Sequence, residues 1–148
     1  MVEILIIVVI IGILALITIP RASVAKDRIM VNSARQEVAA AIATARAAAI
    51  QKGRPSKIVF ASSSVTVYAT TSAAGTLTKI LGPISMDRAF GVSLVPANAA
   101  DSVVYFEARG FASPRLSSGS RYVITGRNKK DSVCVTSTGQ ILPRGCTQ

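Results

Sequence analysis

The chain has 148 residues, half of them hydrophobic, which suffices for one membrane helix and one compact domain of about a hundred residues but excludes a second full domain. Its formal net charge is +10, and the absence of histidine removes the usual general base, the common nucleophile pairs and most transition-metal sites. We therefore expect a structural or binding protein without cofactor or bound metal, and not an enzyme.

The first twenty residues are predicted to form an apolar helix with one acid near its start. After Glu3 the run is almost wholly aliphatic, contains Gly12 and ends at Pro20, close to the ~20 residues that span a hydrocarbon core. Positive charges follow the run instead of preceding it, which argues against a cleaved signal peptide. A buried carboxylate needs a partner, so Glu3 is expected to be paired with a group of another chain.

The helical pattern continues from residue 21 to residue 53. Small apolar residues at alternating three- and four-residue steps predict one buried stripe, made of Val24, Val31, Ala34, Val38, Ala41, Ala45 and Ala48. Gly53 and Pro55 predict its end. Residues 1–20 and 21–53 together predict a helix of about fifty residues, roughly 75 Å long. Pro20 is expected to bend it between Leu16 and Pro20, a bend that Gly12 eases.

From residue 54 to residue 148 the period changes to two, which predicts a β-rich domain and an α+β fold. Eight short strands are predicted at 57–61, 64–70, 77–81, 91–95, 102–107, 121–125, 132–136 and 140–142. Loops are predicted at 73–75, 96–100 and 114–119, and Thr138-Gly139 predicts a turn between the last two strands.

Two cysteines, Cys134 and Cys146, lie close together near the C-terminus. An even number of cysteines in a domain beyond a membrane predicts a disulfide, with two buried free thiols as the alternative. Two cysteines without histidine cannot complete a tetrahedral zinc site, so a metal is not expected.

The segment from Glu3 to Pro20 resembles the N-terminus of type IV pilins and type II secretion pseudopilins, in which a Glu precedes an apolar helix with a Gly and a later Pro. That Glu is fifth in the family and third here, so we expect this numbering to begin two residues inside the mature chain. The stretch Ala45-Arg46-Ala47-Ala48-Ala49-Ile50-Gln51-Lys52-Gly53 is similar to the helix end of GspH/FimT minor pseudopilins. Residues 133–144 resemble that group's closing strands, with Gln140 in place of the first arginine of a Gly-Arg-Val-Arg motif.

The resemblance implies a long N-terminal helix against an antiparallel β domain, and a structural role in a type IV pilus or type II secretion filament. Residues 1–20 would anchor the chain in the bacterial inner membrane and then form the filament core, with residues 54–148 periplasmic or at the cell surface. Glu3 would neutralise the N-terminal ammonium of a neighbouring subunit, an attraction that strengthens at low dielectric. A C-terminal disulfide is also common in the family.

Basic residues concentrate toward the C-terminus and suggest a second possible partner. Some FimT-like minor pilins bind DNA through basic C-terminal residues, which makes DNA a candidate partner here, through Arg121, Arg127, Lys129, Lys130 and Arg144. The same charges could instead serve solubility, meet acidic neighbouring subunits or touch anionic lipid, as expected for Arg21, Lys26 and Arg28. A third possibility is a membrane-anchored β domain that never polymerises.

Overall fold

A computed structural model describes residues 2–61, 63–71, 75–113 and 119–142, without the side chains of residue 5 and residues 15–22. Its dominant element is α1, a single α-helix of 51 residues at Val2–Lys52. The predicted helix of about fifty residues is therefore confirmed, and α1 continues through Gly12 and Pro20 without interruption. No described helix is apolar enough over a sufficient length to cross a membrane.

The second half of α1 packs on the domain through the predicted stripe. From Val31 onward every stripe residue is buried, and Ile42 and Ala49 lie buried beside them. Val24 is 40% exposed, so burial begins one step later than the pattern predicts. Most stripe residues are alanine, which lets the β strands approach the helix axis closely.

The end of α1 has the geometry that a glycine permits. Gly53 has a φ of 58°, in the left-handed region, and its N–H bonds to the carbonyl of Ile50. The N–H of Arg54 reaches back to the carbonyl of Ala49, which completes a Schellman cap. The Ser56 hydroxyl then donates to the Ala45 carbonyl at 2.6 Å and fixes the first strand against the helix.

Two antiparallel sheets make up the rest of the domain. The five-stranded sheet has the order β3-β2-β1-β5-β6, and the four-stranded sheet has the order β4-β7-β8-β9. The strands are β1 Ser56–Ala61, β2 Ser64–Thr70, β3 Leu77–Ser85, β4 Ser93–Pro96, β5 Val103–Phe106, β6 Ala112–Ser113, β7 Ser120–Thr125, β8 Lys130–Val135 and β9 Ile141–Leu142. The inner faces of both sheets share one core with α1. This is the predicted α+β arrangement.

Three local features differ from the sequence prediction. The chain forms a short helix, α2 at Met86–Phe90, which was not predicted and lies between the strands predicted at 77–81 and 91–95. Met86 is fully buried, so this turn closes one end of the core. Strand β6 was not predicted because it has only two residues, and part of the predicted loop 96–100 contributes to a 3-10 helix at Ala99–Ser102. The predicted loop 73–75 lies mostly, and 114–119 almost entirely, outside the described residues.

Tyr122 joins the two sheets within the core. Its ring stacks on Phe60 of β1 with centroids 4.0 Å apart, and its hydroxyl donates to the Asp101 carbonyl at 2.9 Å. Burial raises the pKa of the Tyr122 hydroxyl well above its ordinary value. A single side chain thus provides apolar area to the core and a satisfied polar contact at its edge.

Replacing Ile42 with alanine is expected to destabilise the domain by about 2–5 kcal/mol, because it opens a cavity between α1 and the sheets. Urea unfolding of the full chain in mild detergent, followed by circular dichroism, measures this loss. Ile29→Ala removes the same atoms from a side chain that is 62% exposed and serves as the control. Equal effects of the two changes would contradict the described packing.

Stability is expected to fall above about pH 10, where tyrosine ionises in the unfolded chain. Because the folded-state pKa of Tyr122 is raised, the folded chain holds this proton after the unfolded chain has lost it, and rising pH favours unfolding. Urea midpoints at several alkaline pH values measure the slope. Tyr122→Phe should lower stability at neutral pH but flatten the alkaline decline, and an unchanged slope would contradict the assignment.

Candidate functional site

The first half of α1 is apolar yet lies outside the core. Between Val2 and Leu14 the described large apolar side chains are 51–74% exposed. Glu3 lies exposed in the first helical turn, where its charge also suits the helix dipole. No described atom lies within 4 Å of the position that a Cβ on Gly12 would take, so packing in the described part of the chain does not require a glycine there. The side chain of Pro20 lies outside the described set.

Asp27 marks the point where α1 meets the domain. Its carboxylate accepts hydrogen bonds from the backbone N–H groups of Arg127, at 3.1 Å, and of Asn128. These residues form the turn between β7 and β8. The helix therefore holds the tip of a hairpin that is a hundred residues away in sequence. We call this region, consisting of residues 26–28 and 127–129, the hairpin junction.

Further contacts secure the same hairpin along α1. Lys129 Nζ donates to Asn32 Oδ1 at 3.4 Å, and Arg35 forms an ion pair with Asp131 at 3.2 Å. Gly126 lies so close to the helix that a Cβ would be 2.6 Å from Val31 Cγ2. A larger residue at this position would force the side chains of Val31 or Asp27 to shift. The strand pair β7–β8 is thus fixed to one face of α1 over about two turns.

The hairpin junction is rich in cations. A cleft of about 370 Å³ on one side of Asp27 is lined by Lys26 and Arg127, among others. A second cleft of about 330 Å³ is lined by Arg28 and Lys129. Cations from α1 and from the hairpin therefore meet around a carboxylate that already binds two backbone N–H groups. This combination favours an anionic surface or ligand.

The predicted DNA-binding residues lie on two surfaces. Arg127 and Lys129 belong to the hairpin junction. Arg121 and Lys130 line a shallow cleft over β7 and β8, whose lining also includes the acid Asp131 at the edge next to α1. Arg144 lies outside the described residues. Among the described positions, no three potential metal-ligating side chains come together.

Cys134 is buried on β8 and takes part in a disulfide. It lies opposite Arg121 on β7 and Leu142 on β9. Its predicted partner, Cys146, lies outside the described residues. The predicted turn at Thr138-Gly139 connects the antiparallel strands β8 and β9, as expected.

Arg46, which belongs to the motif at the end of α1, has a structural role. Its Nε donates to the Gly110 carbonyl at 3.1 Å, which ties the turn after β5 to the helix. Gly139 sits against the same carbonyl, where a Cβ would collide with the Gly110 oxygen. The arginine therefore fixes the turn after β5, and the turn between β8 and β9 packs directly against that turn.

The sequence analysis missed Asp27, Asn32 and Asp131 as determinants of this site. Their partners lie about a hundred positions away, and no spacing rule connects a helical acid with backbone N–H groups of a distant turn. The available signal was a lone acid, Asp27, between Lys26 and Arg28. A single acid between two cations indicates an anchoring role, but the sequence does not identify the groups that it binds.

A helix of this length, packed by its second half on antiparallel sheets and uncovered over its apolar first half, defines the pilin-like class. The type IV minor pilin FimU of Pseudomonas aeruginosa has a similar fold, with a TM-score of 0.61 and 18% identity over 82% of this chain and 93% of FimU. The minor pseudopilin EpsH of the Vibrio cholerae type II secretion system matches with a TM-score of 0.54 and 11% identity, over 83% of this chain and 96% of EpsH.

The family model of the type II transport protein GspH matches residues 34–139. This match covers more than half of the chain, and the protein belongs to the GspH family. The predicted resemblance to the GspH/FimT group is thereby confirmed. The curated proteins include no match to the chain.

Replacing Asp27 with alanine is expected to release the tip of the β7–β8 hairpin. Each hydrogen bond that it accepts contributes about 0.5–1.5 kcal/mol, so losing both should accelerate amide exchange at Arg127 and Asn128 roughly 5- to 150-fold. Hydrogen exchange of the full chain measures this. Asp27→Asn keeps one acceptor and should give a smaller effect, while Arg35→Gln should leave these two amides nearly unchanged. Unaltered exchange in Asp27→Ala would contradict the anchor.

Proposed function

We propose that this protein is a minor structural subunit of a type II secretion or type IV pilus filament, assembled through the first half of α1. The observation that carries the proposal is the uncovered apolar helix between Val2 and Leu14. Burying that surface between neighbouring helices would supply the assembly energy at roughly 25 cal/mol per Å² of apolar area. The folds of FimU and EpsH, a minor pilin and a minor pseudopilin by name, support the assignment.

Gly12 supports helix-to-helix packing in particular. A glycine in mid-helix costs roughly 1 kcal/mol relative to alanine, and no contact among the described residues requires it. A close approach by the helix of another subunit would require it, since small residues let helix backbones come together. Pro20, which follows Gly12 by two turns, would adjust the path of α1 within the filament.

Glu3 would set the register of each added subunit. Surrounded by apolar neighbours, its carboxylate is expensive to bury unless a positive group meets it, and the N-terminal ammonium of an adjacent subunit is the proposed partner. Placements that leave the charge unpaired would be rejected. Interfaces commonly gain specificity in this way, by making the wrong arrangements unfavourable.

Before assembly, residues 1–20 would hold the chain in the bacterial inner membrane as a single-pass anchor, with the domain of residues 54–148 in the periplasm. The hairpin junction then lies at the base of the domain, about 10 Å of helix beyond Pro20. Its cations, including Lys26 and Arg127, would face anionic lipid headgroups, with each cation near the surface contributing about 1 kcal/mol.

A disulfide between Cys134 and Cys146 would hold the C-terminal segment on β8. Closing a loop of this length constrains the unfolded chain and typically stabilises a domain by about 2–4 kcal/mol. An oxidising periplasm permits such a bond. The proposal is consistent with the burial and disulfide bonding of Cys134.

Replacing Glu3 with glutamine is expected to impair assembly strongly while leaving the domain folded, because it removes the charge and keeps the size. The measurement is the amount of this subunit in sheared or pelleted filaments, normalised to its amount in cell membranes. Glu37→Gln, which removes an acid from the packed half of α1, is the matched control. Filament incorporation at the wild-type level would refute the role of Glu3. Absence of the wild-type chain from filaments would instead favour a membrane-anchored domain that does not polymerise.

A further inference from the structure

The outward face of the five-stranded sheet carries a row of alternating lysines and tyrosines. The strand register pairs Lys79 of β3 with Tyr68 of β2, Tyr68 with Lys57 of β1, and Lys57 with Tyr105 of β5. Directly paired residues point to the same face of a sheet. We call these four residues the Lys–Tyr row. The residues on either side of the row along β1 and β2 point into the core. The row therefore lies on the face of the sheet that points away from α1.

Both rings of the row are accessible. Tyr105 is 45% exposed and Tyr68 is partly exposed, whereas Tyr122, the third tyrosine of the chain, is buried. Lys57 Nζ lies 5.1 Å from the centroid of the Tyr68 ring, a cation–π contact that holds the two side chains together. With strands about 4.8 Å apart, the two tyrosines stand roughly 10 Å from each other across the sheet.

A cleft lies alongside the row, at the ends of the same strands. It has a volume of about 350 Å³ and is lined by Tyr105 together with Arg54, Leu77 and others. This volume is at the lower end of the ~300–1,000 Å³ typical of small-molecule sites. Glu107, just beyond β5, is the nearest acid along that strand and bounds the surface. The row and cleft thus combine two rings, an apolar side chain, cations from two strands and a cation from the turn after α1.

We propose that the Lys–Tyr row binds single-stranded nucleic acid, with bases on Tyr68 and Tyr105 and phosphates on Lys57 and Lys79. An exposed sheet face with stacking rings and interleaved cations is an arrangement that suits single strands. A duplex hides the faces of its bases and would meet only the lysines. This site is separate from the predicted C-terminal cations and does not depend on the proposed filament role.

The test uses the full chain in non-ionic detergent micelles and a fluorescently labelled 20-residue oligo-dT, followed by anisotropy. Binding is expected at low salt, with duplex DNA of equal length and an abasic oligomer at least tenfold weaker. Because the chain has no tryptophan, tyrosine emission reports on the rings directly. The oligonucleotide should quench the exposed tyrosines and leave a residual signal from buried Tyr122.

Variants separate stacking from charge. Tyr68→Leu and Tyr105→Leu should each weaken binding about 5- to 150-fold, whereas Tyr68→Phe and Tyr105→Phe keep a ring and should retain most of it. Lys57→Gln with Lys79→Gln should lower the slope of log affinity against log salt by about 0.7 per lost phosphate contact. The matched control is Arg121→Gln with Lys130→Gln, which removes the same charge from the other sheet.

Four results would overturn the proposal. They are equal affinity for duplex and single strand, equal affinity for the abasic oligomer, an equal loss in the control variant, and binding without tyrosine quenching. If poly-glutamate displaces the oligonucleotide as effectively as unlabelled oligo-dT does, the row serves an acidic protein partner instead. Circular dichroism of each variant establishes that the fold is retained.

Discussion

The burial of one small-residue stripe of α1 against both sheets is the contact on which the rest of the structure depends. From Val31 to Ala49 the helix contributes alanines and valines that are almost fully buried, and both sheets close over them. Because α1 is continuous, this burial also fixes the direction in which its uncovered half leaves the domain. The packed half therefore orients the half that is proposed to assemble.

The change from an uncovered to a covered helix occurs within about one turn, and polar contacts define it. The Asp27 carboxylate accepts hydrogen bonds from backbone N–H groups of the β7–β8 turn. Four residues later, Val31 is fully buried. Gly126 lets the hairpin come close enough for both contacts. A carboxylate suits this position because its two oxygens accept hydrogen bonds from turn amides that would otherwise bond to water. The hairpin junction therefore fixes the edge of the domain nearest the uncovered half of α1.

The sequence predicted what is periodic and local. The stripe, the cap at Gly53 and most strands follow from repeating patterns and from the conformational needs of glycine. Asp27 and Arg46 could not be predicted, since each acts on backbone groups of turns far away in the chain. The short elements β6 and α2 were not predicted for a related reason. Elements of two to five residues have no period of their own and form because neighbouring strands and the core hold them.

The packing of α1 also divides the surface by direction. The helix covers the inner face of the five-stranded sheet, so the Lys–Tyr row on the opposite face points away from α1. In a filament with the first halves of the helices at its centre, that face would point outward and stay accessible after assembly. The hairpin junction lies beside the helix itself and would turn toward the membrane or the next subunit. Under both proposals, a single helix orientation would supply an inner surface for lipid or protein and an outer surface for a polyanion, without requiring a second domain.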